Sequence, residues 1–310
     1  MNTIKFAPYN ELITEQHNLE VAPVKEVTIE HKCYKFYSPC NLNIFVSNIC
    51  QNNCDFCINK GHKEVCTDDD YYNGLENTLE LLKDVECEFT LTGGEPTLNA
   101  ERFIKTCEIL KKHNIKERTI STTRIGLFNK YNNKPILAHL REMDFIHNIS
   151  ISRMSFDEKQ NNDILKGHNI NNAELEKLAF FSKMNDMEMR VSTNFLKESV
   201  NDYNSMLKFL NDMKSIGINT VLFREIVGMN DAIKISPIQN EISKSDDFEF
   251  NKTLTGIFYD VDVYLYPKNK PEYIVKCYRD KKPEEKIVGG LSYNAGILRI
   301  GFNGEILKVF

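Results

Sequence analysis

The fold of this chain is decided by one short stretch, Cys50-Gln51-Asn52-Asn53-Cys54-Asp55-Phe56-Cys57. It follows an apolar run, Leu42 to Val46, that predicts a strand leading into a loop. Three thiolates at this spacing can converge on one face of an iron–sulfur cluster. A cubane [4Fe–4S] cluster has four irons, so three cysteines leave one iron without a protein ligand. We therefore predict that Cys50, Cys54 and Cys57 bind a [4Fe–4S] cluster whose fourth iron is open to a small molecule.

This spacing resembles the signature of the radical S-adenosylmethionine (radical SAM) enzymes, which carry an aromatic residue, here Phe56, before the third cysteine. A second stretch, Leu91-Thr92-Gly93-Gly94-Glu95-Pro96, is similar to the Gly-Gly-Glu-Pro segment that ends the second barrel strand in that family. Glycines there let backbone groups approach a ligand closely. The resemblance implies two cofactors, a [4Fe–4S] cluster and S-adenosylmethionine. It also implies that Phe56 shields the cluster and that the segment from Gly93 to Pro96 seats the methionine amino group, with the Glu95 carboxylate holding the ammonium.

A structural zinc site, completed by Cys40 or Cys66, is the alternative interpretation of the cysteines. Zinc sites more often pair two ligand turns that lie far apart in sequence. Only one C-x2-C turn occurs here, and zinc leaves the Gly-Gly-Glu-Pro segment unexplained. These two observations favour the iron–sulfur cluster.

Composition limits the classes of protein to which this chain can belong. A chain of 310 residues with 41% hydrophobic content can bury a large core, as one barrel-type domain or two smaller ones. Its net charge of −5 gives no sign of a nucleic-acid or membrane partner. No secretion signal precedes the nine cysteines, so a disulfide framework is not expected. We expect a reduced, cytoplasmic, oxygen-sensitive protein.

From Leu42 onward the chain repeats a pattern of strand, loop and helix. Such alternation implies a parallel sheet with helices on its outer face. The predicted strands are 43–47, 86–92, 118–123, 145–152, 187–194 and 219–226. Six units of this kind fit an α/β fold, the partial (β/α)6 barrel that the radical SAM resemblance also implies. The predicted domains are an amino-terminal extension with short strands (1–41), the partial barrel (42–228) and a carboxyl-terminal β-rich cap (229–310).

Active residues in barrels of this type cluster at the carboxyl ends of the strands. The polar residues at those ends that we assign to the S-adenosylmethionine site are Thr123, Ser152, Asn194 and Glu225. The stretch that begins at Ser152 resembles a Ser-x-Asp-Ser-x-Asp stretch of the family, but Met154 replaces the usual acid and Arg153 stands beside it. Arg153 and Arg224 are therefore predicted to contact an anionic substrate. Pairing of either arginine with a nearby carboxylate remains the alternative.

The carboxyl-terminal part alternates in the way that strands do, and 296–307 reads as a hairpin with an Asn-Gly turn. This hairpin resembles the tail of the GTP-cyclising radical SAM enzyme of molybdenum cofactor biosynthesis. The positions that would hold the second cluster of that enzyme are Ser292, Ala295 and Val309, so a second cluster is predicted to be absent. Cys277 is the only cysteine after Cys107. It is a candidate thiol for returning a hydrogen atom to a substrate radical, or a packed strand residue.

Three functions follow from these patterns. The first is a radical SAM enzyme, an oxidoreductase or lyase, that abstracts hydrogen from a small nucleotide-like or anionic substrate. The second is radical modification of a peptide precursor, and the third is a non-catalytic iron–sulfur or zinc-binding protein. Either enzyme needs an external electron donor such as flavodoxin or ferredoxin. No membrane partner is expected.

Overall fold

The computed structural model describes residues 24–29, 32–57, 67–84, 87–113, 118–123, 126–226, 233–255, 259–280, 293–300 and 306–308. The described residues group into two units. The amino-terminal unit contains the described parts of 20–50, 58–148 and 283–310. The carboxyl-terminal unit contains 51–57 and the described part of 149–282. The predicted domain boundary between residues 228 and 229 therefore falls within the carboxyl-terminal unit.

The described residues contain fourteen strands and seven helices. The strands are β1 (Val24–Ile29), β2 (Lys32–Ser47), β3 (Cys87–Gly93), β4 (Arg118–Thr122), β5 (Lys130–Tyr131), β6 (Lys134–Pro135), β7 (Asn148–Ser152), β8 (Glu188–Asn194), β9 (Thr220–Arg224), β10 (Glu249–Thr255), β11 (Tyr259–Tyr266), β12 (Tyr273–Asp280), β13 (Tyr293–Ile300) and β14 (Ile306–Lys308). The helices are α1 (Asp68–Leu81), α2 (Ala100–Lys111), α3 (Ile136–Met143), α4 (Glu158–Leu165), α5 (Asn172–Met184), α6 (Tyr203–Ser215) and α7 (Ser236–Ile242).

The sheet of the amino-terminal unit is built on β2. Its strand order is β4-β3-β2-β13-β14, and β1 also pairs with β2. The pairs β2–β3, β3–β4 and β13–β2 are parallel, whereas β1–β2 and β13–β14 are antiparallel. Leu42, Ile44 and Val46 on β2 are fully buried. An apolar run of this kind is what a strand inside a parallel sheet requires, because helices cover such sheets.

The helices of this unit begin where sequence signals place them. Thr67 caps α1 and forms a capping box with Asp70. The acidic run 68–70 lies in the first turn of α1, where the helix dipole favours carboxylates. Cys107 of α2 is fully buried, as its place in an apolar helical stripe predicts. Phe89 of β3 packs against Phe145 with ring centroids 5.4 Å apart.

The carboxyl-terminal unit has its own sheet, in the order β10-β11-β12-β9-β8-β7. β8 pairs parallel with β9, and β9 pairs parallel with β12. β11 then pairs antiparallel with both β12 and β10. β12 therefore continues the parallel part of the sheet, and β10 and β11 extend it. The sequence predicted strands here but not that β12 joins β9.

The two faces of this sheet differ in character. On one face Phe223 of β9 stacks with Phe195 at 5.6 Å and contacts Phe209 of α6 at 6.0 Å. Helix α6 therefore covers that face. On the other face Arg224 lies beside Asn194 of β8 and Tyr278 of β12 in the strand register. Residues in register point to the same side of a sheet, so these three side chains share one face.

Some predicted features lie outside the described residues. They include Cys66, the Asn-Gly turn of the last hairpin, Ser292 and Val309. Ala295 lies in β13, and nothing is described of its side chain or of that of Cys40. Among the described residues no helix is long and apolar enough to cross a membrane.

Candidate cluster-loop site

The cluster loop, here residues 51–57, packs over strand ends of the carboxyl-terminal unit. Cys54 and Phe56 are partly buried against an apolar cluster. Its buried members follow β7, β8 and β9 or end helix α4: Met154, Leu196, Ile226 and Leu165. The loop therefore lies at the carboxyl ends of the parallel strands, which is where the predicted fold places its chemistry.

Helix α4 and the residue after it hold this loop by several direct contacts. The carbonyl oxygen of Leu165 accepts a hydrogen bond from the Asn53 amide at 3.1 Å. The same oxygen lies 3.4 Å from the Cys54 sulfur and accepts from its thiol. Lys166 pairs with Asp55 at 2.6 Å. The end of α4 thus fixes both the backbone and one thiol of the loop.

The loop between α4 and α5 completes this clamp. The Asn52 side-chain amide donates to Asn169 Oδ1 at 2.9 Å. Gly167 faces Asn52 so closely that a Cβ at position 167 would lie 2.1 Å from Asn52 Oδ1 and 2.7 Å from the Gln51 carbonyl oxygen. Only glycine fits this contact without displacing the cluster loop. The sequence did not single out Gly167 or Asn169, because the contact joins segments more than a hundred residues apart.

The three predicted cluster ligands differ from the other described cysteines in exposure. Cys50 is exposed, and Cys54 and Cys57 are half-buried, whereas Cys87, Cys107 and Cys277 are buried. All six are free thiols. Within the described residues, no group of three or more His, Cys, Asp or Glu side chains is arranged to hold a single metal ion. A set of three accessible thiols on one loop fits an iron–sulfur cluster, since each thiolate then binds a different iron.

The Gly93-Gly94 pair contacts the segment that leads into the cluster loop, all within the amino-terminal unit. The Gly94 amide donates to the Ser47 carbonyl oxygen at 2.7 Å, and the Glu95 amide donates to that of Ile49 at 2.8 Å. Gly93 has φ +132°, and a Cβ there would lie 2.2 Å from the Ser47 carbonyl oxygen. A Cβ on Gly94 would lie 2.4 Å from the Ile49 carbonyl oxygen. These glycines are needed for backbone packing, whatever ligand they also approach.

The carboxylate of Glu95 is fully buried and engaged on both oxygens. Oε1 accepts from the Thr97 amide at 3.3 Å, from the Thr97 hydroxyl at 2.5 Å and from the Thr122 hydroxyl. Oε2 accepts from the amide and the hydroxyl of Thr123, each at 2.7 Å. Five donors fill the roughly four lone-pair sites of a carboxylate. Glu95 therefore ties the end of β3 to the end of β4, and the buried Pro96 follows it.

In this geometry, Thr123 and the residues of the Gly-Gly-Glu-Pro segment have different roles. Thr123 uses its amide and hydroxyl on Glu95. The side chain of Glu95 has no open acceptor site for an ammonium group in this arrangement. Backbone groups of the segment remain the means by which it would meet a ligand. The predicted cofactor roles of these residues stay predictions.

Arg153, at the end of β7, is fully buried and donates to four acceptors. Three are carbonyl oxygens, of Ser155 at 2.6 Å, Phe156 at 3.0 Å and Ile170, and the fourth is Asn172 Oδ1 at 2.7 Å. Burial lowers the pKa of Arg153 to about 10. The guanidinium holds together the segment from the end of β7 to the start of α5, and its predicted contact with the substrate stays a prediction.

Arg224, at the end of β9, has a different environment. Its guanidinium carbon lies 4.1 Å from the centre of the Tyr278 ring. Among the described residues its guanidinium makes no hydrogen bond or ion pair, and the residue is half-buried. Ser152 and Asn194, the predicted cofactor residues at the ends of β7 and β8, are also half-buried. Tyr278 could not be selected from the sequence, because pairing between β9 and β12 cannot be read from either strand alone.

The carboxylate of Glu225 bonds residues at the start of helix α7 and not Arg224. Its Oε1 accepts from the Ile235 amide, at the start of α7, at 2.7 Å. Its Oε2 lies 3.5 Å from the Lys234 ammonium. A carboxylate suits the amino end of a helix. The predicted contact of Glu225 with the cofactor stays a prediction.

Cys277 lies on the face of the sheet that α6 covers, in register with Phe223. It is fully buried, and burial together with the Asp262 carboxylate raises the pKa of its thiol. Arg224, Asn194 and Tyr278 occupy the opposite face. The structure thus does not bring Cys277 together with the other candidates on β8 and β9.

Comparison with known proteins finds a family that matches the region of the three motif cysteines. The family described as 4Fe-4S single cluster domain matches residues 40–175, which include all three motif cysteines. No curated protein matches the chain. The fold is similar to that of anSMEcpe with bound AdoMet, with 18% identity, 66% of this chain and 58% of that chain covered, and a TM-score of 0.50.

Two further solved structures resemble parts of the chain. Streptococcus suis SuiB bound to S-adenosylmethionine shares 20% identity, over 67% of this chain and 47% of that one, with a TM-score of 0.48. The radical S-adenosylmethionine methyltransferase TsrM from Kitasatospora setae shares 9% identity, over 70% and 42%, with a TM-score of 0.43. This chain spans about half the length of the first of these structures.

The α/β fold with a parallel sheet and a β-rich region of antiparallel strands is the predicted one, and the comparison confirms that class. The family match confirms an iron–sulfur cluster as the metal group. The fold is thus similar to that of radical SAM enzymes of known structure, and the three-cysteine motif lies within the region that the cluster family matches.

Proposed function

We propose that this protein is a radical SAM enzyme whose cluster is bound by Cys50, Cys54 and Cys57. The observation that carries the proposal is the position of the cluster loop, with Cys54 and Phe56 packed over the carboxyl ends of β7, β8 and β9. When bound, the cluster and S-adenosylmethionine together supply a 5′-deoxyadenosyl radical that abstracts hydrogen from the substrate.

The residues of the chain have positioning and shielding tasks in this proposal. Phe56 and its apolar neighbours exclude water from one side of the cluster loop. Glu95, with its threonine donors, holds the Gly-Gly-Glu-Pro segment rigid, so that its backbone can seat the methionine amino group. Ser152 and Asn194 stand at strand ends of the carboxyl-terminal unit and would bond the ribose or carboxylate of S-adenosylmethionine.

The substrate that we propose is a small anionic molecule that meets Arg224. Of the two predicted arginines, only Arg224 has a guanidinium that is not already bonded within its own loop. An electron donor such as flavodoxin or ferredoxin would reduce the cluster. We place the enzyme in the cytoplasm, where reducing conditions keep free thiols available.

Anaerobic reconstitution tests the proposal. The expected result is one [4Fe–4S] cluster per chain, a spectrum of the reduced cluster that changes when S-adenosylmethionine is added, and formation of 5′-deoxyadenosine. Cys54→Ala should lose the cluster. Cys107→Ala, which removes a buried thiol outside the loop, should keep it.

Two results would contradict the enzyme proposal. Zinc in place of iron would restore the zinc-binding alternative. A cluster whose spectrum ignores S-adenosylmethionine would favour a non-catalytic iron–sulfur protein.

A further inference from the structure

The carboxyl-terminal unit carries a row of three side chains at the ends of parallel strands. Asn194 of β8 pairs in register with Arg224 of β9, and Arg224 pairs with Tyr278 of β12. The strands are parallel, so the three residues stand side by side near the same end of the sheet. Leu196 and Ile226, which follow Asn194 and Arg224 by two residues, belong to the apolar cluster against which Cys54 and Phe56 pack. The row therefore lies close to that loop within one unit.

Tyr278 orients the guanidinium of Arg224. The Tyr278 side chain is 5% exposed, and the Arg224 guanidinium carbon sits 4.1 Å from its ring centre. A guanidinium over a ring face is held by cation–π attraction and loses freedom to rotate. Its N–H donors, which point outward in the guanidinium plane, remain available for another group.

Arg153 and Arg224 differ in whether the N–H donors of the guanidinium are already bonded. The guanidinium of Arg153 is surrounded by four acceptors from its own loop. Within the described residues, Arg224 has an aromatic support and no acceptor at all. A half-buried guanidinium that lacks an acceptor is a site where an anion can bind with both charge and geometry in its favour.

The remaining residues of this face favour an anion as well. Asn194 adds an amide beside Arg224, and no side-chain hydrogen bond of Asn194 occurs in the described structure. The carboxyl group of Glu225 is directed to the start of α7 and does not neutralise Arg224.

We infer that Arg224, held against the Tyr278 ring, is the specificity residue of the enzyme and binds a carboxylate of the substrate, while Asn194 beside it serves the cofactor as proposed above. A guanidinium presents pairs of parallel N–H groups in one plane, which match the two oxygens of a carboxylate. The inference rests on the proposed function, because it assigns to Arg224 the substrate of that radical chemistry.

Binding of matched probes tests the inference separately from catalysis. The probes are hippurate, its uncharged amide hippuramide, and phenyl phosphate, each added to the reconstituted protein with S-adenosylmethionine present. Ligand-observed NMR gives the dissociation constants. We expect hippurate to bind roughly 10- to 100-fold more tightly than hippuramide.

Variants assign this preference to named side chains. Arg224→Gln should abolish the preference for hippurate, and Arg224→Lys should keep only part of it, because an ammonium cannot form the paired contact. Tyr278→Leu should reduce the preference, whereas Tyr278→Phe, which keeps the ring, should preserve it. Arg141→Gln, which removes an exposed arginine of α3, is the matched control for the lost charge.

Three outcomes would overturn the inference. The first is equal binding of hippurate and hippuramide, or no binding of either. The second is a preference for phenyl phosphate over hippurate. The third is that Arg224→Gln weakens binding of S-adenosylmethionine as strongly as that of hippurate, since the guanidinium would then serve the cofactor. Failure of the proposed function has a different signature, absence of 5′-deoxyadenosine, and leaves the hippurate measurement intact.

Discussion

Two charged groups at strand ends, one in each unit, have opposite surroundings. In the amino-terminal unit, Glu95 is fully buried and accepts hydrogen bonds from Thr97, Thr122 and Thr123. In the carboxyl-terminal unit, Arg224 is half-buried and rests on the Tyr278 ring. The difference teaches that charge at a strand end is not by itself a sign of ligand binding. A charge whose bonding capacity is filled by the protein holds backbone in place, and one whose capacity is open can bind a ligand.

The largest effect should come from removing the saturated carboxylate. Glu95→Ala would leave five buried donors without their acceptor, and we expect the free energy of unfolding to fall by roughly 3 to 5 kcal/mol. Urea denaturation of the apoprotein measures this. Glu108→Gln, at an exposed position of α2, should change it by no more than about 0.5 kcal/mol. If Glu95→Ala kept its stability and lost only S-adenosylmethionine binding, Glu95 would be a ligand group and the contrast with Arg224 would disappear.

The next effect tests the saturated arginine. Arg153→Leu would remove the guanidinium donor of the carbonyl oxygens of Ser155 and Ile170, whereas the Phe156 oxygen keeps the Asn172 amide, so we expect a loss of roughly 2 to 4 kcal/mol in urea denaturation. The matched variant Arg224→Leu should lose much less, because its guanidinium bonds no protein acceptor among the described residues. Equal losses for the two arginines would show that Arg224 is also structural.

A smaller effect is expected where the cluster loop is clamped. Gly167→Ala would press a methyl group against Asn52 and the Gln51 carbonyl oxygen, and overpacking of this kind costs roughly 1 to 3 kcal/mol. We expect lower iron and sulfide content after reconstitution, because the loop must move. Gly217→Ala is the matched control. Gly217 has φ +83° and no atom within 4 Å of an added Cβ, so this variant should lose stability and keep its iron.

The smallest effect should come from the ion pair at the same clamp. Lys166 and Asp55 are partly exposed, so Lys166→Gln should change the free energy of unfolding by less than about 1 kcal/mol. Iron content should not change, since Asn53 and Leu165 keep their backbone bond. A loss of iron as large as that of Gly167→Ala would mean that charge, rather than backbone contact, positions the loop.

Local patterns in the sequence predicted most of the fold. The strand before the cluster loop, the capping of α1 by its acidic first turn and the buried Cys107 follow from hydrophobic period and capping signals. Helix α7 was missed because 229–250 is polar, although Pro237 in its first turn and the spacing of Ile238 and Ile242 were available signals.

The sequence could not show which groups the side-chain donors and acceptors bond to in the folded protein. The guanidinium of Arg153 is satisfied mainly by carbonyl oxygens, whose directions depend on the folded loop. The donors to Glu95 come from two segments, and the part played by Tyr278 depends on which strand β12 pairs with. Both arginines therefore looked alike in sequence, and only tertiary contacts separate them.

The parallel pairing of β12 with β9 has a consequence for how this protein can be divided. A fragment that stops at residue 228 would contain the whole repeated pattern of strands and helices and would still leave β9 as an open edge, because Val221 and Phe223 would keep their β8 partners and lose those on β12. Such an edge invites association with other chains. Strand β12 is thus part of the sheet of the carboxyl-terminal unit, and truncations intended to keep that sheet intact should extend at least through residue 280.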